Sequence, residues 1–91
     1  MTDPERRHVL FYEYVADIVE RRAPFREAHL GHIRAGQGDG RILMAGPLGD
    51  PPHGAAIVFA DQAAAEKFAQ ADPYVVNGLV TNWRVEPWTL V

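Results

Sequence analysis

The chain has 91 residues and a mass of 10.1 kDa, enough for one small domain with a thin core. A hydrophobic share of 47% against 23% charged residues excludes a disordered chain, and a net charge of −3 with pI near 5.7 offers nothing to attract nucleic acid. With no cysteine, disulfide frameworks, thiolate metal sites and cysteine nucleophiles are all excluded.

Met1–Arg7 is polar and reads as an extension ahead of a single domain over 8–91. The apolar run that follows is only about eight residues long, too short for a membrane span and unlike a signal peptide, so no membrane partner is expected and a cytoplasmic location is the default. That run, His8 to Val15, is dense in β-branched and aromatic residues and predicts a strand. Neither of its faces, Val9/Phe11/Glu13/Val15 or Leu10/Tyr12/Tyr14, is plainly polar, so both call for cover.

Asp17 with Glu20 three residues on resembles a capping box, which predicts a short turn over 17–22. Pro24 suits the first turn of a main helix over 24–35. Phe25, His29 and Ile33 then share one stripe of that helix, with Arg22, Arg26 and Leu30 beside it. Gly36-Gln37-Gly38-Asp39-Gly40 reads as a stop and a turn. Its superficial G-x-G-x-G pattern follows a helix instead of preceding one, the wrong order for a phosphate loop.

Arg41–Ala45 predicts a short strand, Gly46–Gly54 a loop rich in turn residues, and Ala55–Phe59 the returning strand of a hairpin. Asp61 caps a second helix that carries Ala65, Glu66, Phe68 and Ala69. Asp72-Pro73-Tyr74-Val75 breaks that helix and opens a further turn, and Leu79–Glu86 alternates as a last strand before Pro87-Trp88. The resulting order is β-α-β-β-α-β, the ferredoxin-like arrangement of the α+β class. Two helices cover one face of four strands, so the other face is expected to pack on a second copy, giving a homodimeric α/β barrel.

Four histidines are present, at 8, 29, 32 and 53. His29 and His32 stand at i, i+3, but a metal needs a third ligand and the sequence supplies no pattern for one, so no metal is expected. His29 lies on the stripe that turns toward the sheet. There it is either a core imidazole bonded to a backbone carbonyl or a general acid/base, since imidazole titrates near neutral pH. Asp72 before Pro73 is a strong helix N-cap; its carboxylate also has a second oxygen free to accept from an imidazole N–H. Arg21, Arg22 and Arg26 precede His29, and each has a surface role open to it with Glu13 or Asp17; Arg22 is the choice for holding an anionic group. Tyr12, Tyr14, Tyr74, Trp83 and Trp88 are candidates for a ring-shaped pocket or for core and interface packing. Gly46, Pro47 and Gly54 serve the hairpin loop, where backbone N–H groups are also placed to meet an oxyanion.

The segments His29-Leu30, Gly40-Arg41-Ile42-Leu43-Met44-Ala45-Gly46-Pro47, Asp72-Pro73-Tyr74, Gly78-Leu79 and Pro87-Trp88 occur here in an order that resembles the YCII-related (YciI-like) family, over nearly the whole chain from Val9 to Val91. The resemblance implies a ferredoxin-like fold forming dimeric α/β barrels, related in architecture to muconolactone isomerases. It further implies an active site built on a His–Asp pair, here His29 and Asp72; beside that pair, Arg22, Tyr74, Gly46 and Pro47 are the residues expected from the sequence to bind the ligand. The family includes a dehydrochlorinase acting on a chlorinated hydroxyquinol. The expectation is a small cofactor-independent isomerase or lyase for an aromatic or quinone-like metabolite; the alternative is a non-catalytic dimeric module that binds a small ligand.

Overall fold

In a computed structural model of the chain, residues 5–91 are described. Strand β1 (Arg6–Tyr14) is followed by a one-turn helix α1 (Ile18–Arg21), a 3-10 turn over Ala23–Phe25 and the long helix α2 (Arg26–Gly38). The hairpin β2 (Ile42–Leu48) and β3 (Gly54–Phe59) leads into α3 (Gln62–Ala71), the four-residue helix α4 (Pro73–Val76) and strand β4 (Val80–Thr89). The four strands form one sheet in the order β2-β3-β1-β4, with every neighbouring pair antiparallel. This is the ferredoxin-like α+β architecture. Among the described residues no helix is long and apolar enough to cross a membrane.

Register sorts the side chains. Leu10 lies opposite Ile57 and Val85, Tyr12 opposite Ala55 and Trp83, and these point under the helices. There they meet Phe59, Ala65, Phe68 and Ala69 in the main core, while Ile18, Tyr74 and Leu79 form a second cluster at the end of the sheet. Val9, opposite Val58 and Glu86, and Phe11, opposite Ala56 and Arg84, point the other way. That second face has no helix on it. It forms a broad groove of about 580 Å³ lined by Val9, Phe11, Met44, Val58 and Trp88, with Met44 61% and Trp88 48% exposed.

Several boundaries differ from the sequence expectation. Residues 1–4 of the expected extension lie outside the described residues, but Arg6 and Arg7 already belong to β1, paired with Thr89 and Trp88. Backbone pairing with a long partner strand needs no apolar side chain. Asp17 makes no side-chain cap; its carboxylate instead lies 3.8 Å from Arg21. Helix α2 begins two residues later than expected and runs on through Gly36 to Gly38. Gly36 is a packing glycine, buried where a Cβ would stand 2.5 Å from Ile42 Cδ1, and the turn itself comes at Gly40 with φ +84°.

The stretch from Gly46 to Leu48 belongs to β2, Gly54 to β3, and Pro87-Trp88 to β4. Pro47 and Pro87 both sit on edge strands, where a missing N–H costs the sheet least, and this is why turn-like residues did not end the strands.

Candidate active site

Asp72 caps α4 in extended conformation, and its Oδ1 accepts from the backbone N–H of Tyr74 at 3.0 Å. Asp61 does the same for α3, accepting from Ala64 N–H at 2.8 Å. Unlike Asp61, Asp72 is 0% exposed, because α4 folds back against α2 and the end of β1. Its carboxylate collects two further donors there. His29 Nδ1 lies 2.8 Å from Oδ1 and 3.0 Å from Oδ2, and the Tyr12 hydroxyl donates to Oδ2 at 2.8 Å. Capping and imidazole binding therefore share Oδ1, while Oδ2 is completed by a tyrosine 60 residues away in sequence.

A carboxylate can only accept, so Nδ1 of His29 carries the hydrogen and, in the neutral ring, Nε2 keeps the lone pair. Nε2 makes no hydrogen bond among the described residues. The imidazole stacks face to face on the Tyr74 ring, with centroids 3.8 Å apart and planes 6° apart, and Tyr14 packs edge-on against Tyr74 at 6.1 Å. Asp72 thus holds one edge of the ring and Tyr74 its face. Both come from the same short turn.

His29 also lines a cavity of about 170 Å³ bordered by Arg22, α2, the end of β1, the β2–β3 half of the sheet and Tyr74 of α4. Of the residues expected at the site, His29, Arg22, Tyr74, Gly46 and Pro47 all line this cavity, whereas Asp72 stands behind His29 and does not reach it. Tyr14, Arg26 and Ile33 also line it; the sequence marks Tyr14 as a pocket aromatic, Arg26 as a neighbour of the His29 stripe and Ile33 as part of it, without placing any of them at the site. Tyr14 arrives from the β-bulge at the end of β1, Arg26 from the first turn of α2, and Ile33 from one turn beyond His29. Arg26 had a readable signal, since it stands three residues before His29 on the helix.

Burial raises the phenol of Tyr12 well above its ordinary range, and the charge and hydrogen bond of Asp72 add to it. Burial likewise raises Tyr14, with Tyr74 and Asp72 adding to the effect and Arg22 opposing it. Tyr74 is raised by burial, offset by Arg22 and Arg26. All three phenols are O–H donors at neutral pH.

His32 does not join His29. Its Nε2 lies 3.0 Å from the Phe68 carbonyl and its ring stacks on Phe68 at 4.1 Å, tying α2 to α3. The i, i+3 histidine pair is thus divided between two separate contacts. Trp83 packs on the core side of β4 and Trp88 on the open face, so neither lines the cavity.

The model of the YCII-related domain matches residues 7–89. The chain belongs to the YCII-related family. It is 33% identical to protein YciI of Escherichia coli O6:H1 and to that of Shigella flexneri, over 92% of this chain and 97% of each relative. An uncharacterized protein of Haemophilus influenzae is 30% identical over the same shares. Among solved structures the chain resembles 5-chloro-2-hydroxyhydroquinone dehydrochlorinase (TftG) from Burkholderia phenoliruptrix AC1100, in complex with 2,5-dihydroxybenzoquinone. The TM-score is 0.76 at 18% identity, covering 93% of this chain and 95% of that one. A Pseudomonas aeruginosa protein shares the fold more loosely, with a TM-score of 0.54 and 9% identity over 100% and 98% of the two chains.

Proposed function

We propose that this YCII-related protein is a small enzyme that moves protons on an aromatic or quinone-like molecule, using His29 as acid/base and Asp72 to orient it. The observation that carries this reading is the 2.8 Å contact between His29 Nδ1 and a fully buried carboxylate, in an imidazole that also lines a cavity. Asp72 fixes the tautomer, so Nε2 presents its lone pair to the ligand. The base takes a proton from a hydroxyl or an acidic C–H. The electron pair left behind becomes an enolate or a carbonyl. Return of the proton to another atom isomerises the molecule, and loss of a leaving anion such as chloride makes the step an elimination. Neither outcome needs an oxidant or reductant, so the chain's own side chains suffice. The likeness to the dehydrochlorinase fold favours substituted hydroquinones as the first compounds to test.

The proposal extends to assembly. The uncovered sheet face is apolar through Val9, Phe11, Met44, Val58 and Trp88, and a second copy of the chain would cover it to complete a barrel. Sedimentation at micromolar concentration then gives a homodimer; a monomer refutes this part alone.

The decisive experiment compares wild type with His29→Asn on chlorinated and unchlorinated hydroxyhydroquinones, following chloride release and the change in ultraviolet spectrum. The variant loses about 10²- to 10⁴-fold in turnover while remaining folded by circular dichroism. Unchanged turnover would refute the assignment of His29. Binding by wild type without any turnover would make the protein a ligand-binding module instead.

A further inference from the structure

The cavity beside His29 carries positive charge that the chain leaves uncompensated. Arg7, Arg21, Arg41 and Arg84 each lie within ion-pair distance of a carboxylate, on Glu5, Asp17, Asp39 and Glu86 respectively. Arg22 and Arg26 have no such partner among the described residues, and both line the cavity. An unpaired arginine on open surface is ordinary; two on the wall of one small cavity concentrate field where a ligand would sit. No acidic side chain lines the same space. The carboxylate of Asp72 is fully buried behind the imidazole and already accepts from His29, Tyr12 and Tyr74.

The rest of the lining is consistent with this. The hydroxyls of Tyr14 and Tyr74 have no hydrogen-bond partner among the described residues, and both rings border the cavity. As neutral phenols they donate. Leu30, Ile33, Pro47 and Ile57 supply flat apolar walls. A cavity of about 150 Å³ holds a benzene ring, so the 170 Å³ present here matches the size of one substituted ring.

We propose that the ligand of this site is a monocyclic anion, a planar ring bearing a carboxylate or an ionised hydroxyl, with Arg22 and Arg26 binding the charge and the Tyr14 and Tyr74 hydroxyls as further donors. The inference rests on the reading that the His29 cavity is where the ligand binds, and it adds the charge class of that ligand and the residues that select it. Guanidinium groups suit the task, because their planar donor fork matches a carboxylate or a pair of ring oxygens.

The test is calorimetric titration of the intact protein with two matched probes, 2,5-dihydroxybenzoate and neutral hydroquinone. Four proteins are compared: wild type, Arg22→Gln, Arg26→Gln and the double variant, each checked for folding by circular dichroism. Wild type binds the benzoate about 10- to 100-fold more tightly than hydroquinone, the range that charge-assisted hydrogen bonds supply. Each single substitution removes part of that preference, the double substitution removes it all, and added salt weakens only the benzoate. Equal affinity for the two probes, no binding of either at millimolar concentration, or a preference that survives the double substitution would overturn the proposal. His29→Asn separates it from the catalytic reading. If that variant still binds the anion but no longer turns over substrate, both stand; if it keeps turnover, the acid/base assignment falls and charge selection is unaffected.

Discussion

Removing the Asp72 carboxylate tests whether one buried group holds three elements together. Its Oδ1 takes Tyr74 N–H at 3.0 Å and His29 Nδ1 at 2.8 Å, and its Oδ2 takes the Tyr12 hydroxyl at 2.8 Å, all at 0% exposure. Asp72→Ala forfeits the cap, worth about 1 kcal/mol. It also leaves two buried side-chain donors unmet, at about 1–3 kcal/mol each. These losses do not add fully, because the vacated space is polar and water can enter it. The net cost is about 3–5 kcal/mol, a large part of the stability of a domain this size. Asp72→Asn behaves differently. Its amide oxygen keeps the Tyr74 and His29 bonds, and its NH₂ meets the Tyr12 hydroxyl, which rotates to accept, so only the charge-assisted part is lost, about 1 kcal/mol. Urea unfolding followed by far-ultraviolet circular dichroism reads the order wild type, then Asn, then Ala, with unchanged m-values. An Ala variant within about 0.5 kcal/mol of the Asn variant would refute the reasoning.

The two glycines of α2 respond with opposite sign to alanine. A Cβ at Gly36 would stand 2.5 Å and 2.8 Å from Ile42 Cδ1 and Cγ1, so Gly36→Ala destabilises by about 1–2 kcal/mol, whereas Gly31→Ala meets nothing within 4 Å and stabilises by about 0.5–1 kcal/mol; thermal unfolding of both reads the difference. Stability also falls at alkaline pH. Tyr12 has a folded-state pKa raised above the ordinary value near 10, so its contribution is complete below pH 10 and is lost as pH rises beyond it, by about 1.4 kcal/mol per pH unit. Urea midpoints measured at increasing pH, with tyrosinate absorbance beside them, check this; a Tyr12→Phe variant with the same alkaline slope would contradict the assignment to Tyr12.

Where sequence and structure agree, the signal is local. The Asp-Pro step at 72–73 marks a capped turn on its own, and the i, i+4 stripe of Phe25, His29 and Ile33 puts the imidazole on the inward side of α2. That the two meet follows from the βαββαβ order, which brings α2 and the turn after α3 onto one sheet face. Tyr12 is different. Its bond to Asp72 depends on how closely the end of β1 approaches α4 across 60 residues, and no spacing rule encodes that distance. The length of β2 was hidden for another reason, since Gly46-Pro47 carries turn chemistry that an edge strand tolerates. Gly36 misled in the same way, because a glycine chosen to let Ile42 approach looks like one chosen to end a helix.

Asp72 and Tyr74 stand two residues apart at the capped start of one short turn, one gripping an edge of the imidazole and the other supporting its flat side. The turn acts as a small jaw. Any shift of its backbone carries clamp and platform together, so the tilt of the ring and its bond to the carboxylate do not drift apart. Exchanging this segment between relatives would consequently transplant a calibrated mount as one unit.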